Sequence, residues 1–271
     1  MVNFVNSMTN KRYINYICVA ICIISECVSA VLINELDVSK QIISYTNNFY
    51  VAVLNLLLGS PLLIINKKLI TTIEFVTGLA IGVIEYLLFS EFIVMEISQL
   101  FFKFCESFTI ILLYMATEII SGHLKKLELN TGAIFLSTVI MSVFVFMEIR
   151  AYDVSIFMLL SVLFLSSVGL ILKQLIYSSQ SIIPFLLANN VKLCMLFLFI
   201  FIDNKNFKET KGFLYNFWNK HKIRYVFYIL TRCIYSFSEY FCLKRVDLDV
   251  LMVAKILTAQ FILIYQKIIN K

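Results

Sequence analysis

Lys103 and Glu106 stand one helical turn apart inside an otherwise apolar stretch, residues 98–120, with Ser107 beside Glu106. Its 23 residues suffice at about 1.5 Å each to cross a hydrocarbon core of about 30 Å. A charge at the centre of a membrane helix costs about 2.5–3.5 kcal/mol on insertion scales, so it normally faces a bundle interior or a wet cavity. Residues 248–269 repeat the arrangement with Lys255 at a similar depth. A Glu-Tyr pair precedes each lysine: Glu85-Tyr86 lies 18 residues before Lys103, and Glu239-Tyr240 lies 16 residues before Lys255. Two lysines held in hydrocarbon by two parts of one chain suit the recognition of an anion at the membrane midplane.

Further polar groups interrupt the apolar runs. Arg232, Ser236 and Glu239 follow one another at i, i+4 and i+7, which makes a single helical stripe. That stripe could serve a site, or it could be an internal Arg–Glu link bridged through Ser236. Asn189, Asn190 and Lys192 form a polar knot in residues 182–202. On an ideal helix Lys192 lies about 60° from Asn189 and about 160° from Asn190. If Asn190 faces a cavity, Lys192 turns to a neighbouring helix, with Glu26, Glu85 or Glu239 as partners, or snorkels to a wet crevice. If the helix is distorted, Lys192 becomes a third phosphate-facing cation. Lys173, near the end of its own apolar run, is expected to snorkel to the surface.

The elements that must carry these residues are membrane helices. The 271 residues are 61% hydrophobic and 15% charged, with a mean hydropathy of +0.89, which excludes an ordinary soluble domain. The net charge of +6 resides largely in loops and does not point to nucleic acid. Nine apolar spans are predicted, at residues 13–33, 42–65, 69–89, 98–120, 129–149, 154–177, 182–202, 224–243 and 248–269. The first is too long for a signal-peptide core and is expected to be retained. Gly78-x-x-x-Gly82 in the third permits close helix packing. Residues 203–223, basic and holding the only tryptophan, Trp218, are expected to be the longest loop. Loops on the N-terminal side of the first half carry Lys11, Arg12, Lys67, Lys68, Lys125 and Lys126 against Lys40 on the other, which predicts a cytosolic N-terminus.

The same inventory argues against other chemistry. All seven cysteines fall in apolar spans, so no disulfide framework is expected. His123 and His221, the two histidines, fall in predicted loops, so neither a metal site nor a cofactor is expected. No nucleophile–base pair, HExxH or aspartate pair is present, and the chain is not expected to be an enzyme.

The seventh span resembles that of nucleotide-sugar transporters of the CMP-sialic acid, UDP-galactose and UDP-N-acetylglucosamine group, within the drug/metabolite transporter superfamily. Asn190-Val191-Lys192-Leu193 is similar to the family's Asn-x-Gln-Leu, and Gly212-Phe213-Leu214-Tyr215-Asn216-Phe217 to its Gly-Phe-Phe-Tyr-Gly-Tyr. Lys103 and Lys255 occupy the places of the lysines on the family's fourth and ninth helices. The resemblance implies an all-α membrane protein of nine to ten transmembrane helices in two inverted repeats. Residues 1–150 would be the first, five-helix repeat and residues 151–271 the second, with four helices and the tenth missing. It also implies an antiporter of the Golgi or ER membrane that moves a nucleotide sugar inward in exchange for a nucleoside monophosphate.

Lys103, Lys255 and Asn190 then line the nucleotide site by resemblance, and Glu106 and Asn189 join them as candidate substrate contacts. Arg232, Glu239, Glu85 and Lys192 are candidates for internal ion pairing. The expected partners are these nucleotides, the lipid bilayer and a second copy of the chain. The chain departs from the family pattern at Leu251-Met252, Ile256, Lys192 and Leu172. Lys103-x-x-Glu106-Ser107-Phe108 is instead similar to the Lys-x-x-Glu-Pro-Phe of triose-phosphate-type relatives. A sugar phosphate or free nucleotide is therefore the alternative cargo, and a non-transporting membrane scaffold is a third reading.

Overall fold

A computed structural model of the chain describes residues 2–36, 44–65, 71–94, 156–177, 181–202 and 204–245, together with positions 257, 258, 261 and 265. The predicted fourth, fifth and most of the ninth spans, with Lys103, Glu106 and Lys255, lie outside the described residues, as does the boundary between residues 150 and 151. Among the described residues every element is helical and none is a strand. That is what apolar runs free of internal glycine clusters dictate, since a helix satisfies its own backbone polar groups without water.

Helix α1 runs Val2–Leu36, earlier in the chain than the predicted start at residue 13. A single π-helical turn, Thr46–Val51, leads directly into α2, Ala52–Ile65, which contains Pro61 in its last turns. Helix α3, Thr72–Val94, opens on a capping box. Thr71 Oγ1 accepts from the Glu74 N–H at 3.2 Å and Glu74 Oε2 accepts from the Thr71 N–H at 3.0 Å, which satisfies donors the helix itself cannot. Helix α4 is Ile156–Tyr177, and α5 is Ile183–Ile202 with Pro184 in its first turn, where a missing N–H costs nothing. Helix α6, Asn204–Arg245, is kinked at His221 (φ −126°, ψ 23°). The expectation that residues 203–223 form a loop is thus corrected: residues 204–223 are helical, because Leu214, Phe217 and Trp218 dock together on the cluster of Val51, Tyr225, Tyr228 and Ile229.

Two of the helices hold 20-residue segments long and apolar enough to cross a membrane, Ile14–Ile33 and Ile183–Ile202. Both carry large exposed apolar residues: Tyr16, Ile17 and Ile24 on the first, Phe197, Leu198 and Phe201 on the second.

Side-chain contacts set the helix directions. Gly78 of α3 lies against Pro184 of α5, Gly82 against Ala188, and Glu85 against Lys192, so α3 and α5 run parallel. The glycines are required there. A Cβ on Gly82 would meet Val191 Cβ at 2.6 Å and the Ala188 carbonyl oxygen at 2.7 Å, and one on Gly78 would sit 3.1 Å from the Pro184 Cα. Close backbone approach through small residues is the packing expected of helices in lipid. Helix α6 runs against α5: Phe185 stacks near Tyr240 at 5.2 Å, while at the other end of α5 Phe197 meets Phe49 of the π turn, whose neighbour Tyr50 touches Tyr225. One core cluster, with Cys22, Ile81, Phe185, Leu186 and Tyr240, joins α1, α3, α5 and α6. A second, built on Val51, Tyr225, Tyr228 and Ile229, receives Leu32 and Ile33 of α1 and closes the opposite end.

Candidate functional site

The parallel packing of α3 on α5 places Glu85 directly beside Lys192, two helical positions of like depth brought together by the two glycines. Lys192 Nζ lies 2.7 Å from Glu85 Oε2, and Lys173 Nζ of α4 lies 2.7 Å from Glu85 Oε1. Lys173 also reaches Glu239 Oε2 of α6 at 3.2 Å, and the Tyr235 hydroxyl donates to Glu239 Oε1 at 2.9 Å. The result is a continuous string, Lys192–Glu85–Lys173–Glu239–Tyr235, drawn from four helices. The Lys192 side chain is 6% exposed and Glu239 11%, against 16–18% for Lys173 and Glu85. Two cations face two carboxylates, so the string carries no net formal charge, and each ion is compensated where it would otherwise be uncompensated in a low dielectric.

A second polar layer is centred on Asn55 of α2, which is fully buried. Its amide nitrogen donates to Asn189 Oδ1 of α5 at 3.1 Å and to Ser236 Oγ of α6 at 3.0 Å, and its oxygen accepts from the Cys233 thiol at 3.2 Å. Asn189 in turn donates to the Phe185 carbonyl at 2.8 Å.

A third layer lies at the π turn. Thr46 and Tyr225 share a hydrogen bond between their hydroxyls, and Asn47 Nδ2 donates to the Tyr228 hydroxyl at 3.2 Å. Arg232 Nε donates to Asn47 Oδ1 at 3.1 Å, and its guanidinium lies 5.0 Å from the Tyr235 ring centre, a cation–π arrangement. Asn48 Nδ2 donates to Ser44 Oγ at 3.2 Å. Among the described residues, Asn48 Oδ1 and Ser166 Oγ are the buried side-chain atoms without a hydrogen-bond partner.

No protein-family model, curated protein or solved structure matches the chain.

The structure sorts the residues expected to matter. Glu85, Glu239 and Lys192 meet in one network, with Lys192 on a different helix face from Asn190, which is exposed. Asn189, expected as a substrate contact, is 1% exposed and has its amide engaged with α2 and its own helix. The Arg232, Ser236 and Glu239 stripe exists on α6, but its members reach three different neighbours: Asn47, Asn55 and Lys173. Lys173 is a correction to the sequence reading. It does not snorkel outward; it bridges two carboxylates, because Glu85 and Glu239 converge at its depth. Glu26 is 1% exposed on α1.

Sequence reasoning also passed over Asn55, Cys233 and Tyr235 as partners. The one available signal was the run of polar residues on α6 at positions 225, 228, 232, 236 and 239, whose steps of three or four mark one helix face. Among the described residues, no group of histidine, cysteine and acidic side chains could hold a metal. His221 sits at the kink of α6, its ring 5.1 Å from that of Phe217.

Proposed function

We propose that the chain is a multi-pass membrane transporter that moves a phosphorylated organic anion, with a nucleotide sugar exchanged for a nucleoside monophosphate as the favoured cargo. The observation that carries this reading is the buried Lys192–Glu85–Lys173–Glu239 string. Ionisable residues are rarely placed inside a bundle of apolar helices without a transport or relay role, and a scaffold of the same size needs none. Glu85 belongs to the first half of the chain and the other three residues to the second, so the string ties the halves together across the bundle.

With Lys173 and Lys192 each compensated by a carboxylate, phosphate recognition falls to the remaining intramembrane lysines, Lys103 and Lys255. Asn190, exposed on the far face of α5, is available to pair with a base or ribose. Nine spans arranged as two inverted repeats are part of the proposal. It is supported by the convergence of the two Glu-Tyr motifs, Glu85-Tyr86 and Glu239-Tyr240, on one ammonium, since transporter sites commonly lie between inverted repeats near the midplane. Golgi or ER residence follows from the same resemblance and not from the geometry.

The test is uptake of labelled nucleotide sugar by proteoliposomes holding the purified chain, with competition by nucleoside monophosphates and, separately, by sugar phosphates. Inhibition by the nucleoside monophosphate supports the exchange reading. Inhibition by sugar phosphates alone transfers the assignment to that cargo. Absence of uptake for either class, with the protein correctly inserted, leaves a membrane scaffold and defeats the proposal.

A further inference from the structure

Residues 204–223 are not used by the transport reading, yet they are the most cationic part of the chain. Six cations (Lys205, Lys208, Lys211, Lys220, Lys222 and Arg224) stand against one carboxylate, Glu209, between residues 204 and 224. Residues 204–220 form the first part of α6, ahead of the kink at His221, and Lys222 and Arg224 follow directly after it. Lys208, Lys211, Tyr215 and Asn219 recur at i, i+3, i+7 and i+11, so they share one face of the helix within an arc of about 80°, and all four are exposed. Leu214, Phe217 and Trp218 occupy another face and pack on the cluster of Val51, Tyr225, Tyr228 and Ile229. The Trp218 and Phe217 rings lie 6.0 Å and 5.1 Å from that of Tyr225. The basic face is therefore held in a fixed orientation by the packed one.

Its position is defined by what flanks it. The apolar span of α5 ends at Ile202, where Phe201 and Ile202 are 89% and 84% exposed. Beyond Arg224, the outward residues of α6 turn apolar: Val226, Phe227, Leu230 and Ile234 are all exposed. Because α5 and α6 run antiparallel, the end of one apolar surface and the start of the other lie at the same end of the bundle, and the basic helix lies between them. Aromatic residues with lysines at the edge of an apolar surface are the composition of a membrane–water boundary.

We infer that the exposed face of this helix, continued just past the kink by Lys222 and Ile223, is a binding surface for anionic phospholipid headgroups, with Lys208, Lys211 and Lys222 meeting lipid phosphate and carboxylate while Tyr215 and Ile223 enter the interface. The charge sign, the apolar surfaces on both sides and the amphipathic division of the helix select a lipid surface over a soluble partner. The assignment does not depend on any cargo, and it concerns residues outside the ion string.

Trp218, the only tryptophan in the chain, reports on this helix directly. The full chain is reconstituted in phosphatidylcholine with a minor fraction of either phosphatidylserine or phosphatidylcholine brominated near the top of the acyl chain, and Trp218 quenching is measured for each. Phosphatidylserine is expected to compete for sites near Trp218 roughly fivefold better or more, the worth of one lysine at an anionic surface. The K208Q/K211Q/K222Q variant is expected to lose the preference while keeping quenching by brominated phosphatidylcholine, which shows that the helix is still in place. Equal quenching by the two lipids in the unmodified chain would overturn the inference, as would a preference that survives the triple substitution. Quenching by neither lipid would place the helix away from the bilayer and overturn it equally. Lipid-independent binding of a soluble polyanion such as heparin would assign the patch to a soluble partner instead.

Discussion

Glu85 and Glu239 share one ammonium: Lys173 Nζ stands 2.7 Å from a Glu85 oxygen and 3.2 Å from a Glu239 oxygen. The second oxygen of each carboxylate is also engaged, by Lys192 and by the Tyr235 hydroxyl. Among the described residues, Glu85 thus meets both ammoniums of the string and Glu239 meets one of the two. That asymmetry ranks the consequences of removing either charge.

Replacing Glu85 with Gln takes the carboxylate from Lys192 and the 2.7 Å contact from Lys173, which keeps its 3.2 Å contact to Glu239. A loss on the order of 3 kcal/mol is expected, as for breaking a buried pair by removing one partner. Glu239→Gln keeps Lys173 on Glu85 and is expected to cost about half as much. Thermal unfolding of the two variants in detergent checks the order, and equal losses would contradict it.

The Glu85→Gln/Lys192→Gln double variant removes one charge of each sign and leaves Lys173 with Glu239. It is expected to be more stable than Glu85→Gln alone, by about 1–2 kcal/mol, because Lys192 is no longer a buried cation without a counter-charge. A double variant no better than the single one would show that Lys192 finds other compensation.

Lys192→Gln by itself leaves the lysines proposed for phosphate recognition untouched. Nucleotide competition in the uptake assay is expected to be almost unchanged, at normal protein abundance. A large loss of competition would move Lys192 from the ion string into the binding site.

Gly82→Ala inserts a methyl group 2.6 Å from Val191 Cβ and 2.7 Å from the Ala188 carbonyl oxygen, so α3 and α5 must separate. A cost of about 1–3 kcal/mol is expected for such overpacking, together with a weakened Glu85–Lys192 contact. Gly212→Ala, where nothing lies within 4 Å of the added atom, is expected to be neutral or stabilising by up to about 1 kcal/mol through helix propensity. Melting temperatures of the pair read both effects.

Asn55→Ala removes the donor and acceptor that link α2 to Asn189, Ser236 and Cys233. At about 0.6 kcal/mol per hydrogen bond between membrane helices, a loss of about 1–2 kcal/mol is expected. Asn190→Ala on the exposed side of the same layer is expected to leave stability unchanged, so the two asparagine positions are separable by one melting experiment.

By itself the sequence determined the helical class and the approximate limits of the helices within residues 42–65, 69–94, 154–177 and 182–202, because hydrophobic run length is a local property and lipid-compatible backbone must be helical. It also determined that Glu85, Lys192 and Glu239 needed partners, since the cost of an uncompensated charge attaches to the residue whatever surrounds it. The close approach at Gly78 and Gly82 was legible in the same way, from spacing alone. What the spacing could not say was which surface each glycine faces, and the α3–α5 register that follows from it decided that Lys192 takes Glu85. The inward turn of Lys173 was decided only by tertiary structure: a lysine near a helix end can snorkel or bridge with equal local ease, and two carboxylates from distant parts of the chain had to arrive before bridging was favoured. The helical state of residues 204–223 was decided the same way. Their polarity reads as a loop, and it is the docking of Leu214, Phe217 and Trp218 on a core built from Val51, Tyr225 and Tyr228 that makes a helix the lower-energy arrangement.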